Sequence, residues 1–403
     1  MQRLAVKPRR VYISPGLPFG RWRKIEAMGR VLLALLCAGG AWAQTIIDPA
    51  KIPAGLKHFA IPSGAKPLRC DPSYLRPVLN FSLRFQAGYV VRVPMDQYLG
   101  KGHWWLILER ITPEADPSKA VYMGDRYALP DVPKTNIQLS VMGGYLLGEG
   151  RYHVEWMIMD DLGRATLKEW TLEAQRTHAT RNVNIVMPPG AVAEFSLRGS
   201  AATPKIDDTA PIRLTVLMNA APMSSGRFRL RANDKMMLLA GVSALLEHVP
   251  TKSVRLVVFN LDQQRELYRK EEFSLNDLDQ VGQVLNKTEL DLVDYHVLQR
   301  PKGHLDLLAG LLNGEAQGQP PADVVLVLGP RPHFTDKIPS DALPKEGTPR
   351  ILYLQYQPFL RARSQSPDTI QSAVKTMRGK TLVIRTPADF ARGIEQVERH
   401  EAR

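Results

Sequence analysis

The sequence predicts two domains, an all-β antiparallel sandwich followed by an α/β domain built on a doubly wound, mostly parallel sheet. Three observations carry that expectation. Between Leu79 and Leu197 short apolar runs alternate with polar residues at a period of two, as half-buried strands do. Beyond Pro211 continuous apolar runs alternate with segments of helical period, as in a sheet covered on both faces. Between these regions lies a small, polar, proline-containing stretch, Arg198 to Pro211, "RGSAATPKIDDTAP", which reads as a linker.

In the first region the strand candidates begin with "LNFSLRF", in which Leu79, Phe81, Leu83 and Phe85 alternate with polar partners. "YVVRVPM", "HWWLILERI", "NIQLSVMGGYLL", "YHVEWMIMD", "TLKEWTLEA" and "NVNIVM" follow, separated by turns such as Gly100-Lys101-Gly102 and Asp160-Asp161-Leu162-Gly163. About seven short strands without helical period predict an immunoglobulin-like architecture over 44–197, without the Cys-Trp-Cys signature of that family. Trp104, Trp105, Trp156 and Trp170 are assigned to its core, with a sugar-binding platform as the alternative.

Over 212–403 the order of elements changes. "TVLMN", "SVRLVVFNL", "ADVVLVLGP", "RILYLQYQP" and "TLVIRT" read as buried strands, and "RELYRKEEF" as an antiparallel partner to the second. Helices are predicted over "NDKMMLLAGVSALLEHV" with Asn233 as N-cap and over "SLNDLDQVGQVLN" with a Ser274/Asp277 capping box. Others are "GHLDLLAGLLNG" ending at Gly314, "SPDTIQSAVKTMRGK" capped by Ser366, and "ADFARGIEQVERH" capped by Thr386. "ELDLVDYHVL" reads as an extra strand or ordered loop.

Residues 1–43 read as a leader and not as fold. Arg21, Arg23, Lys24 and Arg30 form a basic region, Val31 to Gly40 an apolar one, and Ala41-Trp42-Ala43 a small-x-small cleavage site before Gln44. Met28 is an alternative start, which would make 1–27 an extension. The apolar run is shorter than the roughly 20 residues a bilayer span needs, so a secreted or periplasmic protein without a stable membrane span is expected. Residues 1–43 carry eight Lys/Arg and one Glu, which leaves 45 basic and 39 acidic residues, net +6, against +13 for the whole chain. That mild balance, without a basic cluster interleaved with aromatics, argues against nucleic acid as a partner. Cys70 is the one cysteine after the leader, either buried or paired with a second copy as a dimer.

From about residue 211 to 400 the order strand–loop–helix, "RLVVFN" strand with hairpin, helices, "VVLVLGP" strand, strand, helix, strand, helix resembles the von Willebrand factor A domain. The resemblance implies a Mg²⁺ site of oxygen ligands, Asp-x-Ser-x-Ser on the first strand, a Thr in a later loop and an Asp after the "VVLVLGP"-type strand. This chain departs from the pattern at each position. Asn219 stands for the Asp, Ala221 and Met223 for the two serines, His304 near the Thr, and Gly329 for the later Asp. Ser224 and Ser225 follow one and two residues late. The expectation is therefore a lost metal site and no cofactor. The loops holding Asn219, Ala221, Met223, Ser224, Ser225, Lys302, His304 and Gly329 would then bind a protein or cell-envelope partner without catalysis.

Two other readings stay open. Asp294, His296, His304 and Asp306 fall within thirteen residues, and His296, His304 and Asp306 form a plausible Zn²⁺ set for an exported hydrolase. Against that, Asp306 suits the first turn of a helix, complementing its dipole. His333, in "GPRPHFTD", follows a buried strand, where ligands of α/β sheets often bind. In the third reading the sandwich alone binds and the second domain is scaffold.

Overall fold

A computed structural model describes residues 44–399 except 53–55, 57–58, 62–63, 196–211, 225–228, 289–294, 319, 345–348 and 359–365. The expected leader and the expected linker therefore lie outside the described residues. The chain divides into two compact units. The first comprises residues up to Val78, Arg84–Gln175 and Met187–Ser196; the second comprises Leu79–Leu83, Arg176–Val186 and Leu197–Arg403.

The first unit contains β1 (Thr45–Ile46), β2 (Lys66–Pro67), β3 (Asp71–Leu79), β4 (Phe85–Pro94), β5 (Trp104–Pro113), β6 (Val121–Ala128), β7 (Gln138–Leu147), β8 (Gly150–Asp160), β9 (Arg164–Ala174) and β10 (Val192–Glu194). They form a six-stranded sheet in the order β1-β6-β5-β8-β9-β2 and a four-stranded sheet in the order β10-β7-β4-β3. Alternation sets the core: Tyr89, Val91 and Val93 of β4, Trp105 and Ile107 of β5, and Trp156 and Ile158 of β8 are buried in one cluster. Trp104 lies outside that cluster, with the Arg126 guanidinium 4.6 Å from its ring centroid. At the β8–β9 hairpin, buried Asp160 accepts from the backbone N–H of Leu162 and Arg164 and from the Tyr98 hydroxyl, and Gly163 takes φ +70°. Cys70 is half-buried against this core, and burial pushes its thiol up.

The second unit holds β11 (Arg213–Asn219), α1 (Ala232–His248), β12 (Ser253–Asn260), β13 (Arg265–Lys270), α2 (Leu278–Lys287), α3 (Tyr295–Gln299), α4 (Gly303–Gln317), β14 (Val324–Pro330), β15 (Arg350–Tyr356), α5 (Thr369–Thr376), β16 (Lys380–Ile384) and α6 (Pro387–Glu398). Its sheet runs β13-β12-β11-β14-β15-β16, parallel except for β13. Leu214, Val216 and Met218 share a core with residues of α1, α2 and α6, whereas Leu217 packs with residues of α4 and α5. Burial of both strand faces is why these strands are continuously apolar.

The expected fold class does not hold. An immunoglobulin-like sandwich of about seven antiparallel strands followed by a doubly wound sheet is replaced by three sheets, both six-stranded ones mixed. β2 pairs in parallel with β9, and β13 is antiparallel in the third sheet. Nor are the two parts simply consecutive, because Leu79–Leu83 and Arg176–Val186 belong to the second unit. "LNFSLRF" is a turn between strands. Asn80 Oδ1 accepts from Ser82 N and Ser82 Oγ, Leu83 N donates to Asn80 O, and Leu83 adopts φ +54°. An Asx turn of this kind outweighs two-residue alternation. Phe81 then packs edge-on against Tyr356, centroids 5.5 Å apart.

Helix starts shift by a residue or two from expectation. The Asp389 and Asp277 capping boxes form as expected, with Thr386 and Ser274. At α1 the N-cap is Arg231 and not Asn233, and the side chain of Asp234, the third helical residue, accepts from Arg231 N and Met223 N. Asp368, not Ser366, caps α5 through Gln371 N, and α4 runs on past Gly314 to Gln317. Asp234→Ala is expected to destabilise the second unit by about 1–2 kcal/mol. Urea unfolding followed by far-UV circular dichroism checks it, and an unchanged midpoint refutes it. Among the described residues no helix is long and apolar enough to cross a membrane.

Candidate functional site

In this sheet β11, β12 and β14 are adjacent and parallel, so their carboxyl ends and the loops beyond them share one edge. In open α/β sheets that edge is where ligands bind. β11 ends at Asn219, which is fully buried; its Nδ2 donates to Pro330 O at 3.2 Å and its Oδ1 has no partner among the described residues. Gly329 lies against it at φ +144°, where a Cβ would stand 2.6 Å from Asn219 O. Asn219 therefore ties the end of β11 to the end of β14. Asn260 supports the next residue, donating to Ala220 O at 2.7 Å while accepting from Gln263 N.

Ala221, Met223 and Ser224 are buried, so this loop packs inward. Ser225 lies outside the described residues. The side chains at the positions of the expected Mg²⁺ ligands do not fit a divalent cation. Asn219 offers one neutral oxygen, and Ala221, Met223 and Gly329 offer none. Among the described residues no group of three or more His, Cys, Asp or Glu is placed to hold a metal.

The chemistry at this edge sits beside that loop. His304, the second residue of α4, is 2% exposed and stacks on Phe334, with centroids 4.0 Å apart and planes 14° apart. Phe334 meets His333 on centroids also 4.0 Å apart. A carboxylate stands beside each histidine: Asp336 Oδ2 is 3.4 Å from His304 Nε2, and Asp262 Oδ1 is 3.3 Å from His333 Nδ1. Neither His304 nitrogen is in hydrogen-bond geometry with a described partner. Partial burial pushes the Asp262 carboxyl up, and the charges of His333 and His304 pull it back down less strongly. The result is a set of three rings flanked by two acids. His333 and Asp336 are the solvent-facing members, with side chains 65% and 61% exposed.

Lys302 precedes α4 and is exposed; its carbonyl accepts from Leu305 N and Asp306 N. Asp306 is exposed while His304 is buried, since residues two apart on a helix point to different sides. Asp294 and the His296 side chain lie outside the described residues. Of the candidates, the structure thus brings His304 and His333 together through Phe334. Asp262 and Asp336 escaped the sequence reading, and Phe334 entered it only as the end of the loop Gly329–Phe334. Their only signal was position, in the loops after β12 and β14, which flank β11 in a sheet whose order the sequence does not reveal.

No family model matches the chain, and no curated protein matches it. Among solved structures, a Bordetella pertussis protein described as ApaA is 16% identical, covering 28% of this chain and 99% of its own, at a TM-score of 0.20. A structural-genomics target is 12% identical over 28% of this chain and 96% of its own, at 0.18. A Bacteroides uniformis beta-glucuronidase is 9% identical over 77% of this chain and 38% of its own, also at 0.18. Likenesses at these scores carry nothing about fold or function.

Proposed function

We propose that this is an exported, non-catalytic binding protein that takes a basic side chain of a protein or cell-envelope partner at the strand-end edge of its second unit. The observation that supports this is the ring set His304–Phe334–His333 with Asp262 and Asp336 beside it. Aromatic faces attract a guanidinium or ammonium group, and carboxylates add charge-assisted hydrogen bonds. The rigid strand ends tied by Asn219 hold the rings in place, which lowers the entropy lost on binding.

A photo-crosslinking residue in place of His333 tests the reading in the full chain. A discrete partner adduct is expected from position 333 and not from exposed Lys252, before the start of β12. That adduct is expected to drop at least about tenfold in Asp336→Asn, as for loss of one charge-assisted contact. Equal labelling from both positions, or an adduct indifferent to Asp336→Asn, sinks the proposal.

A further inference from the structure

The interior of the first unit contains an acid that nothing described there neutralises. Glu109 of β5 is 0% exposed, and neither carboxyl oxygen has a hydrogen-bond partner among the described residues. It pairs across β5–β8 with Trp156, whose Nε1 is also buried and unpartnered. Tyr145 of β7 and Trp170 of β9 approach each other, but neither the Tyr145 hydroxyl nor Trp170 Nε1 completes a hydrogen bond. Tyr89 of β4 accepts from Gln44 Nε2 at 3.3 Å, leaving Gln44 Oε1 without a partner.

These groups form one cluster. Tyr89 and Trp156 have ring centroids 5.4 Å apart, and Trp156 and Trp170 6.3 Å apart. The ionisable neighbours that sense Glu109 are Tyr89, Tyr145 and Tyr127 of β6, all phenols, with Asp125 beyond Tyr127. None of these is a cation. Burial alone holds the Glu109 carboxyl well above the usual carboxylate range.

An ionised carboxylate in such a place lacks both water and a counter-ion, and the protonated form avoids most of that penalty. Unsatisfied donors and acceptors gathered in one polar interior are the setting in which proteins keep ordered water.

We propose that the first unit holds an internal polar site in which Glu109 is a neutral carboxylic acid, bridged by bound water to Tyr145, Trp156, Trp170 and Gln44. On folding, the Glu109 carboxylate of the unfolded chain takes up one proton from solvent to become the buried acid. Below the unfolded carboxylate value, about 4.3, both states carry the proton and folding is insensitive to pH at this group. Above it only the folded state does, so stability falls as pH rises until the folded value is reached.

All four tryptophans after the leader, at 104, 105, 156 and 170, lie in the first unit, and 212–403 has none. Tryptophan fluorescence of residues 44–403 therefore follows this unit's unfolding. Denaturant unfolding across pH is compared between wild type and Glu109→Gln, a neutral isostere of the acid. The wild-type folding constant is expected to fall about tenfold per pH unit relative to the variant, from about pH 5 until the folded value is reached. Parallel pH profiles overturn the proposal. Should Glu109→Gln not fold, the wild-type infrared spectrum decides. A protonated-carboxyl band that persists at neutral pH and vanishes on unfolding supports the site, and its absence overturns it.

Discussion

Glu315→Ala is expected to lower the stability of the second unit by about 3–5 kcal/mol, the usual cost of leaving a buried charge without its partner. The Glu315 side chain, on α4, is 2% exposed. Its Oε2 accepts from Thr215 Oγ1 at 2.9 Å and from Arg255 Nη1, and its Oε1 accepts from Arg269 Nη1 at 3.2 Å. This one carboxylate thus ties α4 to β11, β12 and β13. Removing it strands the fully buried Thr215 hydroxyl and the Arg255 guanidinium, whose side chain is 15% exposed. Arg255 keeps Glu271, but that acid is 57% exposed and screened by water. Thr215→Val, which removes one neutral hydrogen bond, is expected to cost only about 1 kcal/mol. Hydrogen exchange over 213–219 and 253–260 reads both. Equal protection in Glu315→Ala and wild type contradicts the assignment of Glu315 as the charge centre of this network.

Gly329→Ala is the second large effect, expected at about 2–5 kcal/mol from backbone strain together with overpacking. At φ +144° an L side chain is strained whatever room it has, and here there is none. The added Cβ would stand 2.6 Å from Asn219 O and 3.0 Å from Asn219 Cβ, both parts of a fully buried residue. Pro330, the next residue, accepts from Asn219 Nδ2 and from the Tyr353 hydroxyl. Displacing it shifts the start of the loop that carries His333, Phe334 and Asp336. Gly329→Ala is therefore expected to weaken crosslinking from position 333 as well as stability. A Gly329→Ala chain with a wild-type unfolding midpoint would show that β14 and β11 are not tied at this point.

Local chemistry made many elements legible. Thr386 with Asp389 and Ser274 with Asp277 mark helix starts because a cap needs only residues three apart. The apolar run Val324–Pro330 announces a strand covered on both faces because every one of its residues is buried. Where a competing local signal was stronger, the reading failed. Asn80 turns the chain through its own side chain, so Leu79 to Phe85 is not one strand. Asp234 and Asp368, each one or two residues from the expected cap, have the geometry to receive backbone N–H groups.

The site was legible only in part. His304 and His333 stood out as histidines near element ends, whereas Phe334, Asp336 and Asp262 became visible once neighbours in space were known.

By itself the sequence located most strands and helices of the second unit to within a few residues, and showed that Ala221, Met223 and Gly329 offer no side-chain oxygen to a cation. Such properties depend on side chains a few residues apart. Tertiary structure alone decided that β2 joins β9 in parallel, that Leu79–Leu83 and Arg176–Val186 pack in the second unit, and that Glu109 is buried without a counter-ion. It also placed Asp262 beside His333, 71 positions apart in the chain. Those arrangements depend on which buried surfaces find each other, and no periodicity along the chain records that choice.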